Sequence, residues 1–294
     1  MNKAGLWLCL LAASLSPVSA QITVEVLQDQ DQFLPGEALQ VAVRITNRSG
    51  QTLRLGGDDN WLTFGVESMA GSVVRKTGEA PVPREVTIVE SSKRATIRVD
   101  LAPYFALNQP GRYLITATVR IPDWPREIPP SPGKAFDIIE GAKLWEQEFG
   151  LPPSPGATNA IPEVRKYILQ QANYIKGKLR LYLRVTDGSG SKTFRVFPIG
   201  TLFSFSRPEF QVDKLSRLHC LYENGPHAFS YTIFDPDGDL LVRQTYDFKT
   251  TRSRLKVDAE GNISVTGGSR RVTASDVPPP EPADLTDGIK LPNP

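Results

Sequence analysis

The fold is decided by a phrase that occurs twice, as RPEFQVDKLSRLHCLYENG (207–225) and as RSRLKVDAEGNISVTGG (252–268). When the two are aligned, Val212-Asp213 falls on Val257-Asp258, and Leu218 falls on Ile263. A repeat of this spacing is typical of stacked supersecondary units. The sequence therefore predicts a β-repeat domain over 165–272.

Each repeat is expected to be a four-strand meander, because short apolar runs alternate with turn residues such as Asp-Pro-Asp-Gly. The first unit covers 166–207, with strands at 166–172, 179–185, 194–196 and 203–205. The second covers 208–252, with strands at 210–212, 217–222, 229–233 and 240–248. A half-unit ends near Arg271.

The preceding residues 21–141 also predict strands. Leu39, Val41, Val43 and Ile45 alternate with polar or small residues, so one face of that strand is buried. Similar runs lie at 22–26, 53–55, 62–66, 97–101, 113–121 and 136–139. This number of short strands in so short a stretch is typical of an antiparallel sandwich.

The first half resembles the immunoglobulin-like domains of secreted bacterial proteins, in PGEALQVAVRITNRSGQTLRL (35–55) and NQPGRYLITATVRI (108–121). The first phrase also resembles the opening of a small proteinase-inhibitor family with the same fold. The repeats resemble propeller blades of the sialidase type, in FQVDKLSRLHCLY (210–222) and LKVDAEGNISV (255–265). The resemblance implies an all-β chain, with an immunoglobulin-like sandwich followed by a meander of blade-like repeats. The turns match the sialidase motif poorly, so sialidase chemistry is not expected.

Residues 1–20 have the pattern of a signal peptide: Lys3, a short apolar run from Leu6 to Leu15, and Val18-Ser19-Ala20 before the cleavage point. The protein is therefore expected to be secreted or periplasmic, with no transmembrane helix after cleavage. The formal net charge of +2 gives no general attraction to nucleic acid. A protein or glycan partner is expected instead, and the sequence says nothing of the oligomeric state.

Two segments are predicted to lie outside the sheets. Residues 142–164 are read as a linker with a short helix over 142–149, and 273–294 as a disordered, Pro-rich tail. Cys220, the cysteine that remains after signal cleavage, is expected to be a small core residue.

One candidate ligand-binding face is formed by Arg180, Tyr182 and Arg184, which alternate along a strand, with Arg195 added from the next strand. Basic and aromatic groups together can hold an anionic glycan or the rim of a protein partner. An ordinary solvated face is the alternative.

Carboxylates and histidines offer the other candidate chemistry. Asp213 and Asp258 recur at equivalent positions, which favours turn capping over catalysis. The runs 56–60 and 235–239 are rich in aspartate, but their residue order is more typical of a solvated loop and a turn than of a cation site. His219 and His227 lack the spacing of metal ligands. No catalytic residue, metal or cofactor is predicted.

The leading hypothesis is an exported, non-catalytic binding or scaffolding protein of the cell envelope or extracellular space. One alternative is a polysaccharide-active enzyme or its accessory. The other is a proteinase inhibitor, which the resemblance of the first half implies.

Overall fold

The computed structural model describes residues 21–122, 124–151, 163–203 and 207–279. The predicted signal peptide lies outside these residues. The prediction of an all-β protein is confirmed, with 54% strand and 1% helix, and the arrangement of the small sheets is propeller-like.

Within the described residues the first half contains nine strands, of which seven coincide with the predicted runs, whereas the short second and sixth strands were not predicted. The nine strands are β1 (Ile22–Leu27), β2 (Gln32–Phe33), β3 (Gln40–Asn47), β4 (Leu53–Leu55), β5 (Leu62–Ser68), β6 (Thr87–Val89), β7 (Arg94–Asp100), β8 (Gly111–Val119) and β9 (Lys134–Ile138). They form sheets in the orders β1-β3-β7, β2-β9-β8-β5 and β4-β6. All three sheets contribute to one hydrophobic core, in which Val43, Ile45 and Ile115 are fully buried.

The described residues of the second half form eleven strands. They are β10 (Ala142–Gly150), β11 (Val164–Ile175), β12 (Lys178–Asp187), β13 (Thr193–Thr201), β14 (Glu209–Val212), β15 (Leu218–Gly225), β16 (Ala228–Phe234), β17 (Leu240–Asp247), β18 (Arg254–Val257), β19 (Ile263–Thr266) and β20 (Ser269–Arg271). They form sheets in the orders β10-β11-β12-β13, β14-β15-β16-β17-β20 and β18-β19. The second unit therefore has the predicted strands, with β20 added at its edge.

The prediction of a helix over 142–149 is wrong, because these residues form β10, which pairs antiparallel with β11. Trp145 and Phe149 are four residues apart, and this spacing places them on one face of a helix or of a strand. Only the pairing with β11 distinguishes the two. The first four-strand sheet therefore begins at Ala142, one strand earlier than predicted, and Phe203 belongs to none of its strands.

The sheets of the second half pack face to face. Phe149, Tyr167 and Leu183 from the first sheet meet Cys220 and Phe234 from the second in one core. The opposite face of the second sheet carries Phe229 and Tyr231, and the β18-β19 hairpin packs there through Leu255 and Val265. Cys220 is a buried core residue, as predicted.

The first residues of the predicted disordered tail are ordered. Within 273–279, Val277 exchanges two backbone hydrogen bonds with Arg243, each of 3.0 Å, and Asp276 forms an ion pair with Arg270 at 2.5 Å. These contacts tie the chain to the second sheet. The remaining part of the predicted tail, 280–294, lies outside the described residues.

Candidate binding site

The predicted face on β12 is covered by the first half of the chain. Arg180 donates a hydrogen bond of 2.6 Å to Oε1 of Gln30, and Arg184 donates one of 3.0 Å to the carbonyl oxygen of Pro35. Between them Tyr182 is 0% exposed and packs against Leu34. Burial lowers the pKa of Arg184 and raises that of Tyr182. These three residues therefore hold the two halves together.

Arg195 lies on the other side of the same sheet. A register shift between Val185 and Thr186 places Arg195 opposite Val185, which belongs to the core between the sheets. The Arg195 guanidinium pairs with Asp239 and lies 4.9 Å from the ring centroid of Phe197. The structure thus brings together three of the four predicted residues and separates the fourth.

Four aspartates close hairpin turns with one common geometry. The carboxylate of each accepts the backbone N–H of the residue just before the next strand, and the backbone N–H of the aspartate donates to the carbonyl oxygen of that same residue. The Oδ1···N distances are 2.8 Å for Asp187–Lys192, 2.8 Å for Asp213–Arg217, 2.7 Å for Asp235–Asp239 and 2.7 Å for Asp258–Asn262. Turn capping by Asp213 and Asp258 is therefore confirmed.

The other aspartates that were weighed as cation ligands are paired with arginines. Asp237 lies 2.6 Å from Arg165, Asp59 lies 2.5 Å from Arg84, and Asp58 lies 3.2 Å from Arg120. Among the described residues, no three His, Cys, Asp or Glu side chains come together as a metal site.

His219 lies in a buried polar network with Asp213 and Tyr231. Its Nε2 is 3.3 Å from Oδ2 of Asp213, and its Nδ1 is 2.7 Å from the hydroxyl of Tyr231. Burial lowers the pKa of His219, and Asp213 opposes that shift only in part. The neutral imidazole then donates a hydrogen bond from Nε2 to the carboxylate of Asp213 and accepts one at Nδ1 from the hydroxyl of Tyr231. This group joins β15, β16 and the Asp213 turn.

The surface that was not predicted from the sequence lies around Trp124, beyond the end of β8. Two open clefts of about 410 and 600 Å³ share the lining residues Ile121, Pro122 and Trp124. Polar side chains line them: Gln51, Thr52 and Arg54 in the smaller cleft, Arg120, Arg126 and Glu127 in the larger. Trp124 is half-buried against the core of the first half.

The loop beside Trp124 is held in a conformation that needs glycine. Gly56 has a φ of +101°, and a Cβ there would lie 2.5 Å from the carbonyl oxygen of Glu85. The next residue, Gly57, donates its N–H to the carbonyl oxygen of Arg84 at 3.1 Å. The Asp58–Arg120 and Asp59–Arg84 ion pairs also hold this loop against neighbouring segments. This wall of the smaller cleft is therefore preformed.

Apolar rings beside a few fixed polar groups are typical of ligand pockets. Trp124 and its neighbouring prolines supply the apolar part, and Arg54 and Arg126 supply positive charge. A Trp within the Pro-rich run 122–134 is the only sign of this in the sequence. The opposite wall, at 51–57, is remote along the chain, so the sequence alone does not join them.

The described residues contain no helix of the length and apolarity required to cross a membrane. Neither the known protein-family models nor the curated proteins include a match to this chain.

Proposed function

We propose that this is an exported, non-catalytic binding or scaffolding protein of the cell envelope or extracellular space. The observation that carries the proposal is the pair of clefts around Trp124, where an aromatic ring and arginines face open space beside a preformed loop. Such a surface suits a protein or glycan partner. The signal-peptide pattern of residues 1–20 supports export.

The use of the acidic groups favours binding over catalysis. The aspartates of the turns hold backbone amides, those at 58, 59 and 237 hold arginines, and His219 is buried between Asp213 and Tyr231. Groups committed in this way stabilise the fold. We also propose that 21–141 is an immunoglobulin-like sandwich, which is supported by the shared core of the β1-β3-β7 and β2-β9-β8-β5 sheets.

The test compares the mature chain, starting at Gln21, with Arg54→Ala and Trp124→Ala on a glycan array and on immobilised cell-envelope fractions. Arg98→Ala is the matched control, because Arg98 is an exposed arginine of the same half outside both clefts. We expect about tenfold weaker binding for the two cleft variants and no change for the control.

Two assays decide between this proposal and its alternatives. Release of reducing sugars from a polysaccharide would identify an enzyme, and stoichiometric inhibition of a proteinase would identify an inhibitor. Trp124 favours a glycan-binding accessory as the second candidate, because sugar rings pack well on aromatic side chains. Equal binding by the cleft variants and the control would contradict the proposed surface.

A further inference from the structure

A third cleft separates two strands that are neighbours in the sequence. β6 and β7 are joined by the short turn 90–93, yet each is the last strand of its own sheet, in the orders β4-β6 and β1-β3-β7. The cleft has a volume of about 430 Å³, and all of its lining residues lie within 87–97. It is therefore a gap between two strands that do not pair with each other.

Asn47, at the end of β3, holds the end of the cleft where the turn lies. Its side chain is buried, and Nδ2 donates a hydrogen bond of 2.8 Å to the carbonyl oxygen of Val89 in β6. Its backbone carbonyl oxygen accepts the N–H of Ser92 at 2.8 Å, and its N–H donates to the carbonyl oxygen of Lys93 at 3.0 Å. One buried residue is thus bonded to both sides of the turn. This end of the cleft is consequently preformed, which lowers the entropic cost of binding.

The edge of β7 that faces away from β3 carries backbone groups without partners. The backbones of Lys93 and Leu101 are bonded to β3 and its flanking residues, and bonded and non-bonded positions alternate along an antiparallel pair. Arg94 and Thr96 therefore turn their N–H and C=O groups outward. Within the described part of the chain these four groups form no hydrogen bond. Such an edge is a template for a further strand.

The inner side of the cleft is apolar. Ala95 and Ile97 are only half-buried, at the margin of the core of the first half. Successive side chains of a strand point to opposite faces, so every second residue of an added strand would lie beside them. Apolar residues at those positions would complete the burial of Ala95 and Ile97.

The charges of the cleft favour an acidic partner. Lys93 and Arg94 are exposed and form no ion pair within the described residues, and Glu90, at the turn, is the carboxylate beside them. Opposite charges on neighbouring strands stabilise a sheet, whereas like charges destabilise it. Pairing of this edge with the same edge of a second copy would bring arginines together. An acidic strand from another protein avoids that repulsion.

We propose that the outer edge of β7 binds an extended, acidic segment of another protein as an added strand. Its backbone would pair with Arg94 and Thr96, its apolar residues would cover Ala95 and Ile97, and its carboxylates would pair with Lys93 and Arg94. This mode of recognition takes its affinity from main-chain hydrogen bonds and its specificity from alternate side chains. The edge is separate from the clefts around Trp124, and the proposal does not depend on them.

The experiment measures the binding of labelled peptides of about six residues, a common strand length, to the full mature chain by fluorescence anisotropy. In the probe peptide Asp and Val alternate, so that one face is acidic and the other apolar. A second peptide has Lys in place of Asp. A third has the composition of the probe, with all Asp before all Val.

Two variants test the backbone and the charge. Thr96→Pro removes an outward N–H and leaves the bonds between β7 and β3 in place. Arg94→Ala is compared with Arg98→Ala, an exposed arginine of the same strand that does not line the cleft. A thermal melt shows that each variant is folded, and Arg94→Ala alone decides the location if Thr96→Pro does not fold.

We expect the alternating Asp-Val peptide to bind, about tenfold more weakly in Arg94→Ala and in Thr96→Pro and equally well in Arg98→Ala. Failure of this peptide to bind the folded protein overturns the proposal. Equal binding of the block peptide overturns the added strand, and equal binding of the Lys-Val peptide overturns the acidic partner. Equal effects of the two arginine variants overturn the location. Trp124→Ala separates this result from the proposed function, because it should leave peptide binding unchanged.

Discussion

His219 and Asp213 are neighbours in a buried polar network, with 3.3 Å between Nε2 and Oδ2. Their side chains are 5% and 7% exposed. The same carboxylate caps the turn into β15 and pairs with Arg217 at 2.7 Å, so three elements meet at one side chain. The free energy of unfolding should therefore depend on the protonation of His219 and Asp213.

The stability of the protein should fall as the pH is lowered from about 6.5, the ordinary pKa of an exposed histidine. Burial lowers the pKa of His219 in the folded state, so below pH 6.5 the unfolded chain binds a proton that the folded chain does not. Burial would raise the pKa of Asp213, but hydrogen bonds from Arg217 and His219 lower it overall. Protonation of Asp213 should therefore lower the stability further in more acidic solution.

Denaturant titrations between pH 5 and 8 measure this dependence. In His219→Gln the slope around pH 6 should flatten, whereas His227→Gln, at an exposed turn position, should retain it. A free energy of unfolding that is constant across this range in the unmodified protein would contradict the role given to His219.

Asp213→Ala should be far more damaging than Asp258→Ala. Both remove a turn cap, but the first also leaves His219 without its carboxylate partner inside the protein. We expect a loss of roughly 2–4 kcal/mol for Asp213→Ala. The exposed Asp258 should give only a small decrease in melting temperature. Similar melting temperatures for the two variants would show that the buried His219–Asp213 pair does not contribute to stability.

The two halves should not be separable without loss of stability. Leu34 is 1% exposed and packs against Ala172, Tyr182 and Val196 of the second half. Leu34→Ala should therefore cost roughly 2–4 kcal/mol. Leu144→Ala, at an exposed position of β10, is the control and should change stability by less than about 0.5 kcal/mol.

A fragment spanning 142–279 should aggregate or melt well below the mature chain, because it exposes Tyr182 and Val196. A fragment of 165–272 should fare worse, since it also lacks β10. Size exclusion and thermal melting measure both. A monomeric 142–279 fragment that melts as high as the parent would mean that the halves are independent.

Export should be accompanied by cleavage after Ala20, because residues 1–20 have the three parts of a signal peptide. N-terminal sequencing of protein recovered from the periplasm or the medium measures this. We expect Gln21 as the first residue. An exported form that retains Met1 would contradict the prediction.

The sequence by itself determined the all-β class, most of the strands and the aspartate turns. These features depend on local alternation and on backbone hydrogen bonds within a few residues, as at Leu39–Ile45 and Asp213–Arg217. The alternation of apolar residues shows which face of a strand is buried, and the turn residues show where the chain reverses, so both can be predicted from neighbouring residues.

Only the tertiary structure decided what depends on distant partners. Trp145 and Phe149 form part of a strand because β11 lies beside them, and Arg180, Tyr182 and Arg184 became an internal contact because Gln30 to Pro35 cover them. Likewise, Trp124 became part of a cleft through residues 51–57. These features depend on contacts between residues that are distant along the chain, and such contacts cannot be predicted from the spacing of neighbouring residues.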